Sequence, residues 1–283
     1  MSAGKLVICP TPIGNLGDIT QRTIDALNAC DVVCAEDTRV TGKLLAAYGI
    51  KKRLERLDEA LITQRCARII ERVCAGECIA YCSDAGMPGI SDPGLRLVRA
   101  AREAHVPVEV LPGASAASTA YVTSGCVSER FFFAGFFPRK AGEREALLAQ
   151  LAPLDAALIF YESPNRLVDA LAVLADAFPY RTVTVCRELT KLHEEVRTAP
   201  APELAALFAH RAQESTIKGE IVIVVDGPNE QERSDTRERA QDAAVTRARE
   251  LRAQGMSKKD VVRALTEEFN LPRNAAYDIV LSS

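Results

Sequence analysis

The chain of 283 residues is long enough for two domains of ordinary size, each with its own hydrophobic core. Hydrophobic residues make up 48% and charged residues 26%, which is typical of a soluble globular protein. The formal net charge of −3 excludes a general electrostatic attraction to nucleic acid, so binding of that kind requires a local basic patch.

The sequence carries no pattern typical of export, membrane insertion or metal binding. Residues 1–5 do not form a signal peptide, and no apolar run approaches membrane-spanning length, so we expect a cytoplasmic protein. The nine cysteines include no Cys-x-x-Cys pair, and the three histidines are far apart. We therefore expect reduced, mostly buried cysteines and no metal site.

Strands and helices alternate through the first part of the chain. Short apolar runs predict strands at 5–9, 32–35, 78–81 and 107–111, and helical spacing predicts helices at 19–29, 41–49 and 61–75. This alternation indicates an α/β fold with a parallel sheet covered by helices on both faces. The loops that follow the four strands should then meet at one edge of the sheet.

The loop at 82–94 is the leading candidate for a ligand site. It contains three glycines, two prolines and two aspartates between a strand and a helix. Glycines let the backbone approach a ligand and prolines fix the shape of the loop. Asp84 and Asp92 either accept hydrogen bonds from a ligand or cap the turn and the next helix. The alternative is an ordinary strand-to-helix turn, which needs fewer residues.

Three other strand-end loops add polar and small residues. The loop at 10–18 matches neither the dinucleotide-binding nor the phosphate-loop pattern, so a nucleotide held by its pyrophosphate is not expected. Glu36, Asp37 and Arg39 form either a capped helix start or a polar site. Small residues at 112–120 either let a ligand lie against the backbone or allow tight helix packing.

The second half of the chain predicts another α/β domain. Five phenylalanines at 131–137 indicate a core strand with interdomain packing, with base stacking as the alternative. The basic loop at 139–144 contacts phosphates or is merely solvated. Further strands are predicted at 156–161, 182–186, 194–198 and 221–225, with polar clusters at their ends. We expect domains at 1–125 and 126–228.

Residues 229–283 are expected to form a linker and a small helical module. A polar linker is predicted at 226–236, followed by helices at 236–253, 257–269 and 274–281 in a helix-turn-helix-like order. Ser257 and Asp260 match a helix-start signature. Such a module binds nucleic acid or docks on the main domain or a partner chain. Its nearly balanced charges disfavour a role in reading operator DNA.

Five segments in a fixed order carry a family resemblance. They are PTPIGNLGDIT at 10–20, AEDTR at 35–39, SDAGMPGISDPG at 83–94, YESPNR at 161–166 and RELTK at 187–191. Over about residues 5–227 the chain resembles the ribosomal RNA methyltransferases of the tetrapyrrole methylase superfamily. Members usually carry a segment with His and Asn after the second helix, where this chain reads RLDEAL at 56–61.

The resemblance implies a fold, a reaction and partners. The fold is the two-domain class III methyltransferase fold with a small C-terminal helical module. S-adenosylmethionine would be the methyl donor, held in the cleft between the domains. The acceptor would be the 2′-hydroxyl of a cytidine in 16S ribosomal RNA of the small subunit, and the protein would be a homodimer without membrane contact.

The predicted site residues stand at strand ends of both domains. The resemblance implies donor contacts from Pro12, Asp84, Gly86, Ile90, Ser115, Ala116, Tyr161, Leu189 and Glu220. A carboxylate or lysine must take the ribose proton, and the predicted catalytic residues are Glu36, Asp37 and Lys191. Asp84 and Glu188 remain alternatives for that role. Phosphate contact with RNA is predicted for Arg39, Arg166 and Lys140, and also for Lys191.

Two other functions stay open from the sequence. A methylase of a tetrapyrrole or another small molecule fits the same fold and would not need the C-terminal module. A ligand-sensing helix-turn-helix regulator without catalysis would bind DNA and transfer no methyl group.

Overall fold

The computed structural model describes residues 4–269 and 271–282. The chain divides into two compact units, Met1–Gly227 and Pro228–Ser283. The first unit contains two five-stranded sheets, and the described residues of the second form three helices and no strand. The expected boundary between domains at 125 and 126 falls inside the first unit, between its two sheets, and it stays a prediction.

The first sheet is parallel throughout and has the strand order β3-β2-β4-β1-β5. Its strands are β1 (Lys5–Ile8), β2 (Val32–Ala35), β3 (Arg53–Arg56), β4 (Cys78–Cys82) and β5 (Val108–Val110). Its helices are α1 (Gln21–Ala29), α2 (Thr38–Ala47), α3 (Glu59–Cys74), α4 (Gly94–Glu103) and α5 (Ala116–Ser124). The predicted parallel sheet is confirmed, and its central strands are buried because helices cover both faces.

Strand β3 was missed from the sequence. It lies at the edge of the sheet and reads Arg-Leu-Glu-Arg, so it lacks the apolar run that predicts a buried strand. Charged residues of this kind protect an edge strand from pairing with other chains. The following helix α3 begins at Glu59, two residues earlier than predicted. The Asp58 side chain caps it by accepting a hydrogen bond from the Leu61 amide at 2.9 Å.

The second sheet is mixed and has the order β6-β7-β10-β8-β9. Its strands are β6 (Phe131–Phe136), β7 (Ala157–Glu162), β8 (Thr182–Arg187), β9 (Glu195–Pro200) and β10 (Ile221–Val225), and its helices are α6 (Ala141–Leu151), α7 (Leu167–Ala177) and α8 (Ala201–Glu214). Strand β10 lies between β7 and β8 and is antiparallel to both. The carboxyl ends of β7 and β8 therefore share an edge with the start of β10.

The phenylalanine-rich segment is an edge strand, which corrects the prediction of a core strand. Only Phe137 is fully buried, where it packs edge-on against Phe160 at a centroid distance of 5.2 Å. Phe131, Phe132 and Phe136 are exposed because β6 has a neighbour on one side only.

Helix α5 joins the two sheets of the first unit. Ala117 and Ala120 on this helix are buried against Ile159 of β7, Cys186 of β8 and Val222 of β10. The small side chains allow the helix to approach the second sheet closely. A helix that follows the last strand of the first sheet thus forms part of the core beneath the second.

The second unit has its own core. Helices α9 (Glu230–Ala253), α10 (Lys258–Phe269) and α11 (Arg273–Ser282) bury Ala244, Ala248, Leu251, Val261, Val262, Leu265, Ala276, Ile279 and Val280. The predicted helix start at Ser257 is confirmed, since its hydroxyl accepts a hydrogen bond from the Asp260 amide at 3.2 Å.

The predicted linker at 226–236 is wrong beyond Asn229. Helix α9 begins at Glu230, and the Asn229 side chain caps it by accepting from the Glu232 amide at 2.8 Å. The first turns of this helix are polar on all sides, so hydrophobic periodicity does not reveal them.

Candidate active site

Loops from both sheets line a cavity of about 400 Å³ that is open to solvent. One wall comes from loops at the carboxyl ends of β1, β2, β4 and β5, and the other comes from the ends of β6, β7 and β8 and the start of β10. The predicted site residues that line it are Glu36, Asp84, Gly86, Ile90, Ser115, Ala116, Tyr161, Leu189 and Glu220. The volume lies within the range of small-molecule sites, about 300–1,000 Å³.

The loop between β4 and α4 is held in shape by internal hydrogen bonds. The Asp92 carboxylate accepts from the Gly89 amide at 2.8 and 2.9 Å and from the Gly94 amide at 2.8 Å. Gly86 exchanges two backbone hydrogen bonds of 3.0 Å with Thr11, at a φ of 79° that favours glycine. Asp92 therefore shapes the turn, while the Gly86 backbone is fixed at the cavity wall.

Ser83 presents a buried hydroxyl to the cavity. The residue is 2% exposed, and its Oγ has no hydrogen-bond partner within the described residues. A buried hydroxyl without a partner costs about 1–3 kcal/mol. A polar ligand group in this cavity would remove that cost.

Glu36 and Asp84 join the loops after β2 and β4. Asp84 Oδ1 accepts from the Asp37 amide at 2.9 Å, and Glu36 Oε2 accepts from the Asp84 amide at 3.3 Å. Burial raises the pKa of Glu36 above its ordinary value, and the nearby Asp84 charge adds to the shift. Burial likewise raises the pKa of Asp84. Both groups line the cavity, and each is a stronger base than a fully solvated carboxylate.

Asp37 and Arg39 form a capped helix start, which is one of the two alternatives predicted from the sequence. The Asp37 side chain caps α2 by accepting from the Arg39 amide at 2.8 Å. The Arg39 guanidinium also donates to both Asp37 oxygens, and this contact holds the pKa of Asp37 well below its usual range. Neither residue lines the cavity, and the Arg39 side chain is 86% exposed.

Lys191 lies beside the cavity in an ion-pair cluster. Its Nζ lies 2.7 Å from Glu188 Oε1 and 2.9 Å from Glu220 Oε2. Burial opposes the charged form of Lys191, but the two carboxylates outweigh it and raise its pKa. Lys191 is therefore protonated at neutral pH and cannot take up a proton there. Glu188 has a φ of 54° and Thr190 a φ of 66°, a left-handed turn that brings Lys191 back toward Glu188.

Arg166 and Lys140, both predicted to contact RNA, have different surroundings. The Arg166 Nη2 atom donates to the carbonyls of Phe137 and Pro138 at 2.5 and 3.1 Å and pairs with Glu162 at 2.9 Å. Arg166 thus fixes the loop after β6. Lys140 is exposed at the start of α6. Neither of these two cations lines the cavity.

The start of α5 faces the cavity without a side-chain cap. Ser115 is the N-cap residue, and its side chain makes no capping hydrogen bond. The Ala117 backbone hydrogen-bonds the Tyr161 hydroxyl, whose pKa is raised by burial. The remaining free amides of the first turn are suited to a carboxylate or another polar acceptor.

Several lining residues were not predicted from the sequence. These are Ile13, Ser83, Ala85, Met87, Ser91, Phe136, Glu162, Ser163, Pro164, Cys186, Gly219, Ile221 and Val222, whereas Asp92, which also lines the cavity, was named from the sequence as a ligand contact or a cap. Those in the loop at 83–93 could have been found, since that loop was already singled out. Gly219 could not, because it precedes its strand and reaches the cavity only through the antiparallel placement of β10. Pro12 is half-buried in the loop after β1 but is not a lining residue.

The nine cysteines are all free, and five of them are buried. Within residues 4–269 and 271–282, no three His, Cys, Asp or Glu side chains are grouped so as to hold a metal ion. Across the same residues, no helix is both long enough and apolar enough to cross a membrane.

The sequence and the fold match one family of enzymes. The family model described as "Tetrapyrrole (Corrin/Porphyrin) Methylases" matches residues 5–205. A uroporphyrin-III-C-methyltransferase from Thermus thermophilus has a similar fold, with a TM-score of 0.56 at 21% identity over 78% of this chain and 94% of that one. The chain therefore belongs to the tetrapyrrole methylase family and is a methyltransferase.

Curated relatives share a more specific name. A protein of Escherichia coli O157:H7 is 45% identical over 82% of this chain and 80% of its own length. A protein of Synechocystis sp. is 39% identical over 98% of both chains. Both relatives are named Ribosomal RNA small subunit methyltransferase I.

Proposed function

We propose that the protein transfers a methyl group from S-adenosylmethionine to the 2′-hydroxyl of a cytidine in 16S ribosomal RNA of the small subunit. The observation that carries the proposal is the similarity, over 98% of the chain, to a relative named for methylation of small-subunit ribosomal RNA. Methylases of small molecules share the fold at much lower identity, so they support a fold and no more.

The cavity fits a donor of this chemistry. When bound, S-adenosylmethionine supplies a methyl group on a positively charged sulfur. The carboxylates of Glu36 and Asp84 face the cavity and are suited to a cation, while the free amides at the start of α5 are suited to a carboxylate. The Ser83 hydroxyl offers a polar partner that the protein itself does not use. The Gly86 backbone lies at the wall, where a side chain would take up space.

Orientation and proton removal would come from different residues. Most of the rate enhancement is expected from holding the ribose oxygen in line with the donor's carbon–sulfur bond. We assign the role of proton acceptor to Glu36, since its raised pKa brings it closer to neutral pH and it lines the cavity. The protonated Lys191 would orient Glu220 or a phosphate instead.

Recognition of RNA, assembly and location complete the proposal. Arg39 and Lys140 are exposed and would contact phosphates, whereas Arg166 mainly fixes its own loop. A homodimer is supported by apolar side chains exposed at and near the edge strand β6, of which Val127 is 89% exposed. A cytoplasmic location follows from the proposed substrate, since ribosomal subunits are assembled there.

A direct assay tests the reaction. Purified protein is incubated with labelled donor and unmethylated small subunits, and the label is mapped to a nucleotide and to ribose or base. The expected result is label on the ribose of one cytidine in 16S RNA, lost in the Glu36→Gln variant. Label on a base only, on ribosomal protein, or on an added tetrapyrrole in place of RNA would refute the proposal.

A further inference from the structure

The C-terminal unit has a groove of its own, with a volume of about 550 Å³. It lies between α10 and α11, and its basic lining residues are Lys258, Lys259, Arg263 and Arg273. The described residues that line it all belong to the second unit. Within the described residues, the groove and the methyl-transfer cavity therefore share no lining residue.

Positive charge is concentrated in this groove. Residues 228–283 carry ten basic and ten acidic side chains, so the unit as a whole is neutral. Among the residues that the structure describes, the groove nevertheless collects four of the basic side chains and two carboxylates, those of Asp260 and Glu267. The Asp260 carboxylate is engaged by the Ser257 hydroxyl at 2.5 Å and lies 3.6 Å from Arg263.

Three of the cations are free to bind a ligand. Among the described residues, Lys258, Lys259 and Arg273 make no side-chain hydrogen bond or ion pair, and all three are exposed. An exposed, unpaired cation in a groove attracts anions, and no internal carboxylate has to be displaced first.

The positions of these cations work against the stability of the helices. Lys258 and Lys259 are in the first turn of α10, and Arg273 is the first residue of α11. The N-terminus of a helix carries partial positive charge, so acidic residues are favoured there and basic residues are disfavoured. Residues that are unfavourable for the local structure, such as these cations at helix N-termini, are expected at a functional site.

An exposed aromatic ring completes the groove. Tyr277 lines it and is 52% exposed, although its neighbours Ala276 and Ile279 are buried in the core of the unit. Aromatic rings beside cations provide stacking surfaces for unpaired bases. An acidic peptide would satisfy the cations but would leave this ring without a role.

We propose that the groove between α10 and α11 binds the phosphate backbone of ribosomal RNA, with Tyr277 stacked on an unpaired base. This proposal depends on the proposed function in one respect, which is that the bound RNA is ribosomal RNA of the small subunit. It gives the C-terminal unit the task of holding the substrate, separately from donor binding and methyl transfer.

The test compares two double variants of the full-length protein. Lys259→Gln/Arg273→Gln removes one groove cation from each helix. Arg239→Gln/Arg249→Gln removes two exposed cations from α9, outside the groove. Binding of a fluorescent small-subunit RNA fragment is measured by anisotropy over a range of KCl concentrations, and donor binding is measured by calorimetry.

The groove variant should bind RNA about tenfold more weakly in 0.15 M KCl, and the slope of log K against log salt should fall by about 1.4–1.8, as expected for two lost phosphate contacts. The control should change less than about twofold, and donor affinity should stay the same in both variants. Tyr277→Ala should weaken binding about fivefold, and Tyr277→Phe should restore it, because stacking needs only the ring.

Three results would overturn the assignment. The first is equal RNA affinity in the groove and control variants. The second is that Lys259→Arg/Arg273→Lys, which keeps both positive charges, binds RNA as weakly as the groove variant, since positive charge at these positions would then not be what binds the RNA. The third is that polyglutamate competes as well as RNA of the same charge. Methyl transfer by the wild-type protein is measured separately, so a failed reaction refutes the proposed function and leaves the binding result to decide on the groove.

Discussion

Replacing Asp84 by Asn should weaken donor binding by removing charge with little change of shape. Asp84 Oδ1 accepts from the Asp37 amide at 2.9 Å, and an asparagine oxygen can accept the same hydrogen bond. The loops after β2 and β4 should therefore keep their arrangement. What changes is the charge at the cavity wall, where we expect the positively charged sulfur of the donor.

The size of the effect follows from the electrostatics of the site. Two opposite unit charges about 5 Å apart attract by about 3 kcal/mol at an effective dielectric constant of 20. Asp84 is exposed to solvent, which reduces the expected loss to about 1–2 kcal/mol. Such a loss corresponds to a Kd that is about 5- to 30-fold higher.

Calorimetry with two ligands separates the effect of the charge on the donor's sulfur from effects of shape and hydrogen bonding. S-adenosylhomocysteine lacks the methyl group and has a neutral sulfur, so its affinity for the Asp84→Asn variant should change less than about twofold. A matched loss for both ligands would mean that Asp84 acts through shape or hydrogen bonding. Unchanged affinity for S-adenosylmethionine would refute the placement of its sulfur beside Asp84.

Three further predictions concern the base, the contact between loops and the RNA surface. The rate of methyl transfer should fall as the pH drops through the raised pKa of Glu36, because protonation removes the base, and a Glu36→Gln variant with an unchanged pH–rate profile would contradict this role. Gly14→Ala should lower the free energy of unfolding by about 1–3 kcal/mol, since the new methyl group would lie 2.5 Å from Lys191 Cγ; an unchanged denaturant midpoint would show that the loop yields easily. Arg39→Ala should weaken RNA binding without changing donor affinity, and the reverse pattern would refute its role.

The parallel sheet and the loops at its strand ends could be predicted because they depend on residues that are close together in the sequence. Buried strands read as apolar runs, and their direction places the following loops at one edge. On that basis the loop at 83–94 and Ser115 were predicted to lie near each other, and both line the same cavity although their strands are separated in the sequence. The family resemblance supplied the predicted residues of the second wall, including Tyr161 and Glu220. The apolar patterns alone assigned these residues no role.

Other features depend on tertiary contacts that no local pattern encodes. β3 is charged because it is an edge strand, and the phenylalanines of β6 are exposed for the same reason. The sequence shows Arg166 as a free cation, whereas the fold engages it with two carbonyls and Glu162. Lys191 was predicted as a possible base, but two neighbouring carboxylates raise its pKa. Glu188 follows the end of β8, and Glu220 lies in the loop before β10.

The central position of β10 sets the timing of folding during synthesis. The last strand of the first unit to leave the ribosome is inserted between β7 and β8, so the second sheet cannot close before residue 225 is available. At about 5–20 residues per second, the wait from the end of α5 lasts on the order of 5–20 s. Throughout that interval the nascent chain exposes the apolar face of α5 and the strands that await their partner. A translational pause or a chaperone acting between α5 and β10 would have its largest effect on the yield of folded protein.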